Sequence, residues 1–295
     1  ESDFDDRIRL IGGGPGSGKS TTLRALASRM SSRGEVRTLF IPLQHIGISS
    51  DLRGAINSYF TDRTNGYFTK PPLQREQVEE ATSILLIFDG LDELIAPHEI
   101  AADAINLFVS RLSTLMASLK GDGINKAKVV VSGRMPAFQA ARKFLAISDR
   151  ACLEVYGYSK LASDGPLSSH PLWSLDQRAE WWTRYAEASG APLAIPAALE
   201  ADELYDITHE PLLCYLLVVS GFATSNWTAA ADNINRIYAA LMREIYERSW
   251  GEGDIKRQGA GRSMSLRDFD RLMRSIGLAA WLGGDTRVAD EAILG

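Results

Sequence analysis

Gly13-Gly14-Pro15-Gly16-Ser17-Gly18-Lys19-Ser20 constrains this chain more than any other stretch. The octapeptide fits the phosphate-binding pattern G-x-x-x-x-G-K-[ST]. Arg9-Leu10-Ile11 ahead of it reads as a short apolar strand, and Thr21 to Met30 behind it reads as a helix. A strand that feeds a glycine-rich turn into a helix N-terminus aims several backbone N–H groups at one point. The helix dipole adds partial positive charge there, so a polyphosphate is held largely by main chain. Glycines are expected because the loop must take positive φ and let the backbone approach the phosphates. Lys19 is expected to reach the β- and γ-phosphates, and Ser20 to place its hydroxyl on Mg²⁺. Gly13, Gly14, Pro15, Gly16, Ser17, Gly18, Lys19, Ser20 and Thr21 are therefore the candidate nucleotide-binding residues, with ATP or ADP and Mg²⁺ as the expected ligands.

A second stretch completes the chemistry. Ile84-Leu85-Leu86-Ile87-Phe88-Asp89 is an apolar run that ends in a carboxylate, the Walker B arrangement. A buried strand would deliver Asp89 to the Mg²⁺ coordination sphere beside Ser20. Gly90-Leu91-Asp92-Glu93 follows. In many ATPases of this broad class the water-activating Glu comes directly after the Asp, but here Gly90 holds that place. Asp92 or Glu93 must then orient the water, with Glu93 the preferred base. Val129-Val130-Val131-Ser132-Gly133-Arg134 is a further strand with a cation at its exit. Its end lies on the same sheet edge as Asp89, so Arg134 can meet a γ-phosphate there.

Around these motifs the first half alternates strand and helix. Candidate strands are Arg7–Ile11, Thr38–Leu43, Ile84–Asp89, Lys128–Ser132 and Cys152–Tyr156. Three are nearly all apolar, as strands covered on both faces should be. Helices are expected at Ser20–Ser31, as a pair within Asp51–Ala81, and at Pro97–Leu119. The fold class is α/β, a parallel-sheet P-loop NTPase core. Beyond Tyr158 the strand signal fades. Asp176–Ser189, Pro196–Tyr205, Pro211–Phe222, Asn233–Trp250 and Ser265–Leu282 read as helices. Ser265 with Asp268 three positions later resembles a capping box, and Gly251–Gly261 reads as an exposed loop. Expected boundaries near 158 and 225 give an NTPase core over 1–158, a helical lid over 159–225 and a winged-helix-like module over 226–295.

Composition narrows the partners. A formal net charge of −5 gives no electrostatic reason to expect nucleic acid on this segment. Arg262, Arg267, Arg271 and Arg274 cluster, but Asp268 and Asp270 interrupt them, as on a solvated helix face. Cys152 and Cys214 are the only cysteines and lack metal-like spacing, which suits a reducing, cytoplasmic setting. No apolar run approaches the ~20 residues of a membrane span. Residue 1 is Glu, and the chain closes on Ala292-Ile293-Leu294-Gly295, which suggests a segment of a longer protein.

Phe88-Asp89-Gly90-Leu91-Asp92-Glu93-Leu94 resembles the hhhDGhDE signature of NACHT domains, members of the STAND class of signal-transducing P-loop NTPases. By that resemblance Val129–Arg134 corresponds to the sensor-1 strand, whose basic residue detects the γ-phosphate. Glu210-Pro211-Leu212-Leu213 resembles the Pro-Leu-Leu step of the helical domain, whose proline packs near the adenine; Pro211 equally suits the first position of a helix. Asn233–Trp250 and Ser265–Leu282 resemble the winged-helix region that follows. Asp5, Asp6 and Arg7 stand where relatives often contact adenine. One feature departs from the family. His45, His98, His170 and His209 all lie outside the winged-helix region, where animal relatives commonly use a histidine to lock ADP.

The resemblance implies an ATP-binding, slowly hydrolysing switch. ADP would bridge core and winged helix at rest. A trigger would permit exchange to ATP·Mg²⁺ and self-assembly. Pro42-Leu43-Gln44, Trp173-Ser174-Leu175-Asp176-Gln177-Arg178 and Trp181-Trp182 resemble antiviral STAND (Avs) proteins. That resemblance implies a homo-oligomer, a tetramer, in the ATP state and a phage-derived trigger protein bound outside this segment. Two other readings stand beside it: a P-loop motor or phosphotransferase, and a STAND transcriptional regulator binding DNA. No NKxD-like guanine motif is apparent, which favours adenine.

Overall fold

In the computed structural model five strands lie side by side, every neighbouring pair parallel. The described residues are 7–34, 36–48, 51–63, 70–74, 83–94, 101–124, 126–159, 176–223, 234–247 and 265–282. The strands are β1 (Ile8–Gly13), β2 (Arg37–Pro42), β3 (Ile84–Asp89), β4 (Ala127–Gly133) and β5 (Cys152–Val155). Their spatial order is β2-β3-β4-β1-β5. β4, later in sequence than both, therefore sits between the strand that feeds the glycine loop and the strand that ends in Asp89. Its register brings Gly133 beside Gly12 and Val131 beside Phe88.

Period-two alternation distributes the core over both faces of the sheet. Ile84, Leu86 and Phe88 of β3, Ile8 and Leu10 of β1 and Val129 and Val131 of β4 join one buried cluster. That cluster takes in α2 (Leu52–Arg63), α3 (Ala101–Gly121) and α4 (Met135–Leu145). Ile11, Leu85, Ile87 and Val130 point to the other face, where Leu23 of α1 (Lys19–Ser32) covers them. Both faces are covered, which is why β3 reads as an unbroken apolar run.

The sequence expectations are met in every strand, with ends moved by one or two residues. Helix α4 was not expected. Its Ala137, Phe138, Ala141 and Leu145 are buried at helical spacing, and proline stands in its first turn. Phe138 packs so tightly that a Cβ on Gly12 would lie 2.8 Å from its ring. Of the helix pair expected within Asp51–Ala81, α2 is present, and the second falls largely outside the described residues. Asp5, Asp6, His98, His170, Trp173 and the Gly251–Gly261 loop also fall outside them.

The chain divides into two compact units, Glu1–Leu175 and Asp176–Gly295. The expected boundary near 158 adjoins the undescribed stretch 160–175, and the one near 225 falls within 224–233. Among its described residues the second unit is helical: α5 (Arg178–Ser189), α6 (Ala197–Glu200), α7 (Tyr205–Thr208), α8 (Pro211–Val219), α9 (Ile234–Glu247) and α10 (Leu266–Leu282). The helix expected over Pro196–Tyr205 is broken into short pieces. Trp182, Leu199, Ile207, Leu216 and Leu217 form its interior. Arg178 anchors the unit by pairing with Asp176 at 2.7 Å, donating to Thr208 Oγ1 at 2.9 Å and lying over the Tyr205 ring. Burial pushes the nearby Cys214 thiol up to about 12, so it behaves as a small hydrophobe. No helix among the described residues is long and apolar enough to cross a membrane.

Candidate functional site

The glycine loop leaves β1 at Gly13 and enters α1 at Lys19. Each of its glycines has a distinct physical reason, or none. Gly16 and Gly18 take φ of 72° and 90°, the left-handed region open to glycine. Gly13 is required by close approach, since a Cβ there would lie 2.7 Å from Val155 O and 2.8 Å from Ser17 Oγ. Gly14 has open space around it and ordinary φ, so neither reason applies to it.

Helix α1 begins without a side-chain cap. Thr22 N–H is the first to find a helical acceptor, Gly18 O at 2.9 Å. The N–H groups of Gly18, Ser20 and Thr21 ahead of it have no intrahelical partner, which leaves donors for an anion. Ser20 and Thr21 are exposed on that first turn, while Ser17 is buried beneath the loop. Lys19 folds its ammonium back over the loop and donates to Gly13 O at 2.8 Å and Gly14 O at 2.7 Å. A cation and a row of backbone donors thus converge on one point.

Asp89 arrives at the same edge of the sheet at the end of β3, 8% exposed. Its Oδ1 accepts a hydrogen bond from Ser132 Oγ at 2.5 Å, and the same hydroxyl oxygen accepts Gly90 N–H at 3.2 Å. Gly90 turns the chain with φ of 86°, a conformation that residues with a Cβ rarely adopt. The tight turn explains why glycine replaces the acid usual after the Walker B Asp. It also lifts Asp92 and Glu93 into a short 3₁₀ segment, Leu91–Leu94, closed by Glu93 N–H to Gly90 O at 2.9 Å.

Asp92 and Glu93 then differ in environment. Asp92 accepts both Arg134 N–H and Arg134 Nε, each at 2.9 Å. Both of its oxygens are thus engaged by Arg134. Glu93 is exposed, yet partial desolvation and then the negative charges of Asp92 and Asp89 hold it above the ordinary carboxylate range. Arg134 and a backbone N–H of Gln44 pull the other way. A raised proton affinity beside other acids is the kind of environment that suits a general base. The Arg134 side chain is 60% exposed, its guanidinium tied to Asp92.

The structure thus brings the loop residues, Asp89, Asp92, Glu93 and Arg134 to one edge of the sheet. Pro211 belongs to the other unit and is the first residue of α8. Sequence reasoning gave no role to Ser132 or Gln44. A serine ending a valine run was the available signal for Ser132; a backbone contact such as that of Gln44 leaves none.

The sheet order, the uncapped loop-to-helix junction and the buried acidic strand define an α/β P-loop NTPase core followed by a helical region. The solved structures that resemble the chain include the HORMA:CdnC:Trip13 complex of E. coli MS115-1, at 15% identity over 83% of this chain and 75% of that one, with a TM-score of 0.39. The ADP form of the ORC2 protein of Aeropyrum pernix matches at 12% identity over 93% and 80%, TM-score 0.35. Cdc6p from Pyrobaculum aerophilum matches at 17% over 83% and 76%, TM-score 0.31. At these scores the likeness carries nothing about activity; the class rests on this chain's own geometry. No protein-family profile and no curated protein matches the chain.

Proposed function

We propose that this chain is a nucleotide-operated switch that binds ATP or ADP at Gly13–Thr21 and hydrolyses ATP slowly. The observation that carries the reading is the convergence at the first turn of α1. The Lys19 ammonium lies over the loop, and the N–H groups of Gly18, Ser20 and Thr21 have no helical acceptor. Such a site suits a di- or triphosphate.

The residues also fit a magnesium ion. No cluster of three or more His, Cys, Asp or Glu able to hold a metal occurs among the described residues. Mg²⁺ asks for little more than one or two carboxylates once phosphate oxygens share its sphere. Ser20 and Asp89 would hold it, and when bound it neutralises charge on the β- and γ-oxygens. The remaining work falls to this chain's own groups. Loop N–H groups and Lys19 bind and orient the phosphates. Glu93 accepts a proton from water. Asp92 holds Arg134 at the strand exit, where its guanidinium can read the γ-phosphate. A γ-phosphate contact of this kind distinguishes ATP from ADP, the differential interaction that a switch needs.

Phe88–Leu94 supports the finer reading, a NACHT-type STAND protein that assembles with itself when a trigger is sensed. A defence role of the Avs kind, with a phage-derived trigger, is the most specific form of that proposal. Pro211 near the adenine belongs to it as well. Lys19→Ala tests the site. Calorimetric titration with ATP·Mg²⁺ should show binding by the native chain and its loss in the variant. Equal binding by both would contradict the assignment.

A further inference from the structure

Ser132 is a buried hydroxyl, 1% exposed, at the end of the valine run of β4. A hydroxyl has one proton to give. Here it goes to Asp89 Oδ1 at 2.5 Å, and the oxygen's lone pairs are left to accept Gly90 N–H at 3.2 Å. Asp89 Oδ2 has no hydrogen-bond partner among the described residues. One side chain therefore restrains two things at once: the rotation of the Asp89 carboxylate and the start of the turn that carries Asp92 and Glu93. The terminal torsion of an aspartate is otherwise broad, so an unrestrained Asp89 carboxylate would swing over a wide range of angles.

We propose that Ser132 is the positioning residue of the divalent-cation site, restraining the Asp89 carboxylate so that its free oxygen is held facing Mg²⁺ before the cation arrives. The inference rests on the nucleotide and magnesium reading above. The two residues that follow Ser132 reinforce the same mould. Gly133 lets Leu91 approach, since a Cβ there would lie 3.1 Å from Leu91 Cβ, and Arg134 grips Asp92 through its N–H and Nε. The exit of β4 thus templates the whole turn from Asp89 to Glu93. Its hydroxyl is the only one of these contacts that touches the proposed metal ligand itself. Loss of an outer-shell partner of this kind typically weakens a metal site by about 10–100-fold.

The test is ATP binding by the full chain as a function of free Mg²⁺, compared for the native protein, Ser132→Ala, Ser132→Cys and Ser132→Thr. Ser132→Ala should raise the half-saturating Mg²⁺ concentration about 10–100-fold and leave the affinity for ATP in excess EDTA unchanged. Ser132→Thr, which keeps the hydroxyl, should restore the native Mg²⁺ dependence. Ser132→Cys, a weak donor, should fall between, and it supplies the same comparison if the alanine variant does not fold. An unchanged Mg²⁺ requirement in the alanine and cysteine variants would overturn the proposal. So would an equal loss with and without Mg²⁺, the signature of a core residue. Native binding that ignores Mg²⁺ would overturn both this inference and the reading beneath it, whereas Mg²⁺-dependent native binding with unaffected variants overturns this inference alone.

Discussion

Glu93 has its proton affinity set by where the Gly90 turn leaves it. Partial desolvation and the charges of Asp92 and Asp89 raise its pKa above the ordinary 4.5. The folded chain therefore keeps this proton over a range in which the unfolded chain has lost it. Stability from such a group is present below the unfolded pKa and is lost as pH rises through the folded one. At neutral pH the ionised Glu93 works against folding, so Glu93→Gln should raise Tm slightly at pH 7, by about 1 °C given its solvent screening. The gain should vanish in melts below the ordinary carboxylate pKa. The same variant should lower ATP turnover about 10²–10⁴-fold while ATP binding persists. Unchanged turnover in Glu93→Gln, with loss in Asp92→Asn instead, would move the base to Asp92. Lys19 acts differently. Its ammonium is held by two loop carbonyls, so its removal should be felt in binding before chemistry.

Elements show which parts of this molecule were readable in its sequence. β3 was legible to the residue, because a strand buried on both faces leaves an uninterrupted apolar run between polar residues. The glycine loop was legible for the same kind of reason, a chemistry that fixes residue types at fixed spacing. Helix α4 carried a signal that went unread: Ala137, Phe138, Ala141 and Leu145 at helical intervals behind a proline in the first turn. At Ser265 the capping box is only half made. Asp268 N–H does donate to Ser265 Oγ at 3.2 Å, but the serine hydroxyl turns to Asp268 Oδ2 at 2.7 Å rather than the acid reaching back to the cap N–H. Ser132 and Gln44 needed strand order to be seen, because β4 joins β3 only through long-range pairing. Arg53 is another contact of that kind. It donates to Leu73 O through Nε at 2.8 Å, to Ser118 Oγ at 2.8 Å, and pairs with Asp122 at 2.6 Å. It ties α2, the 70–74 segment and the end of α3 together. Arg53→Ala should destabilise the first unit by about 2–4 kcal/mol, since it strands a half-buried carboxylate and a carbonyl. Urea unfolding measures it, and a loss within 0.5 kcal/mol, the usual range for surface changes, would contradict it.

At the scale of the molecule, the proposed switch would make assembly depend on nucleotide state. The α/β unit carries the candidate phosphate-binding and acidic residues, and the helical unit carries Arg178, Tyr205 and Pro211. A net charge of −5 gives no electrostatic reason to expect nucleic acid on this segment. An ordinary ATPase of this fold would turn over at about 1–10³ s⁻¹ without changing its assembly. A switch would bind, wait and assemble. The most direct measurement is the mass of the full-length protein by light scattering, with ADP and then with ATP·Mg²⁺ and candidate triggers, beside Lys19→Ala. The account predicts a larger assembly only with ATP·Mg²⁺ and a trigger, and none in the Lys19 variant. One constant mass under every nucleotide, with brisk ATP turnover, would contradict it.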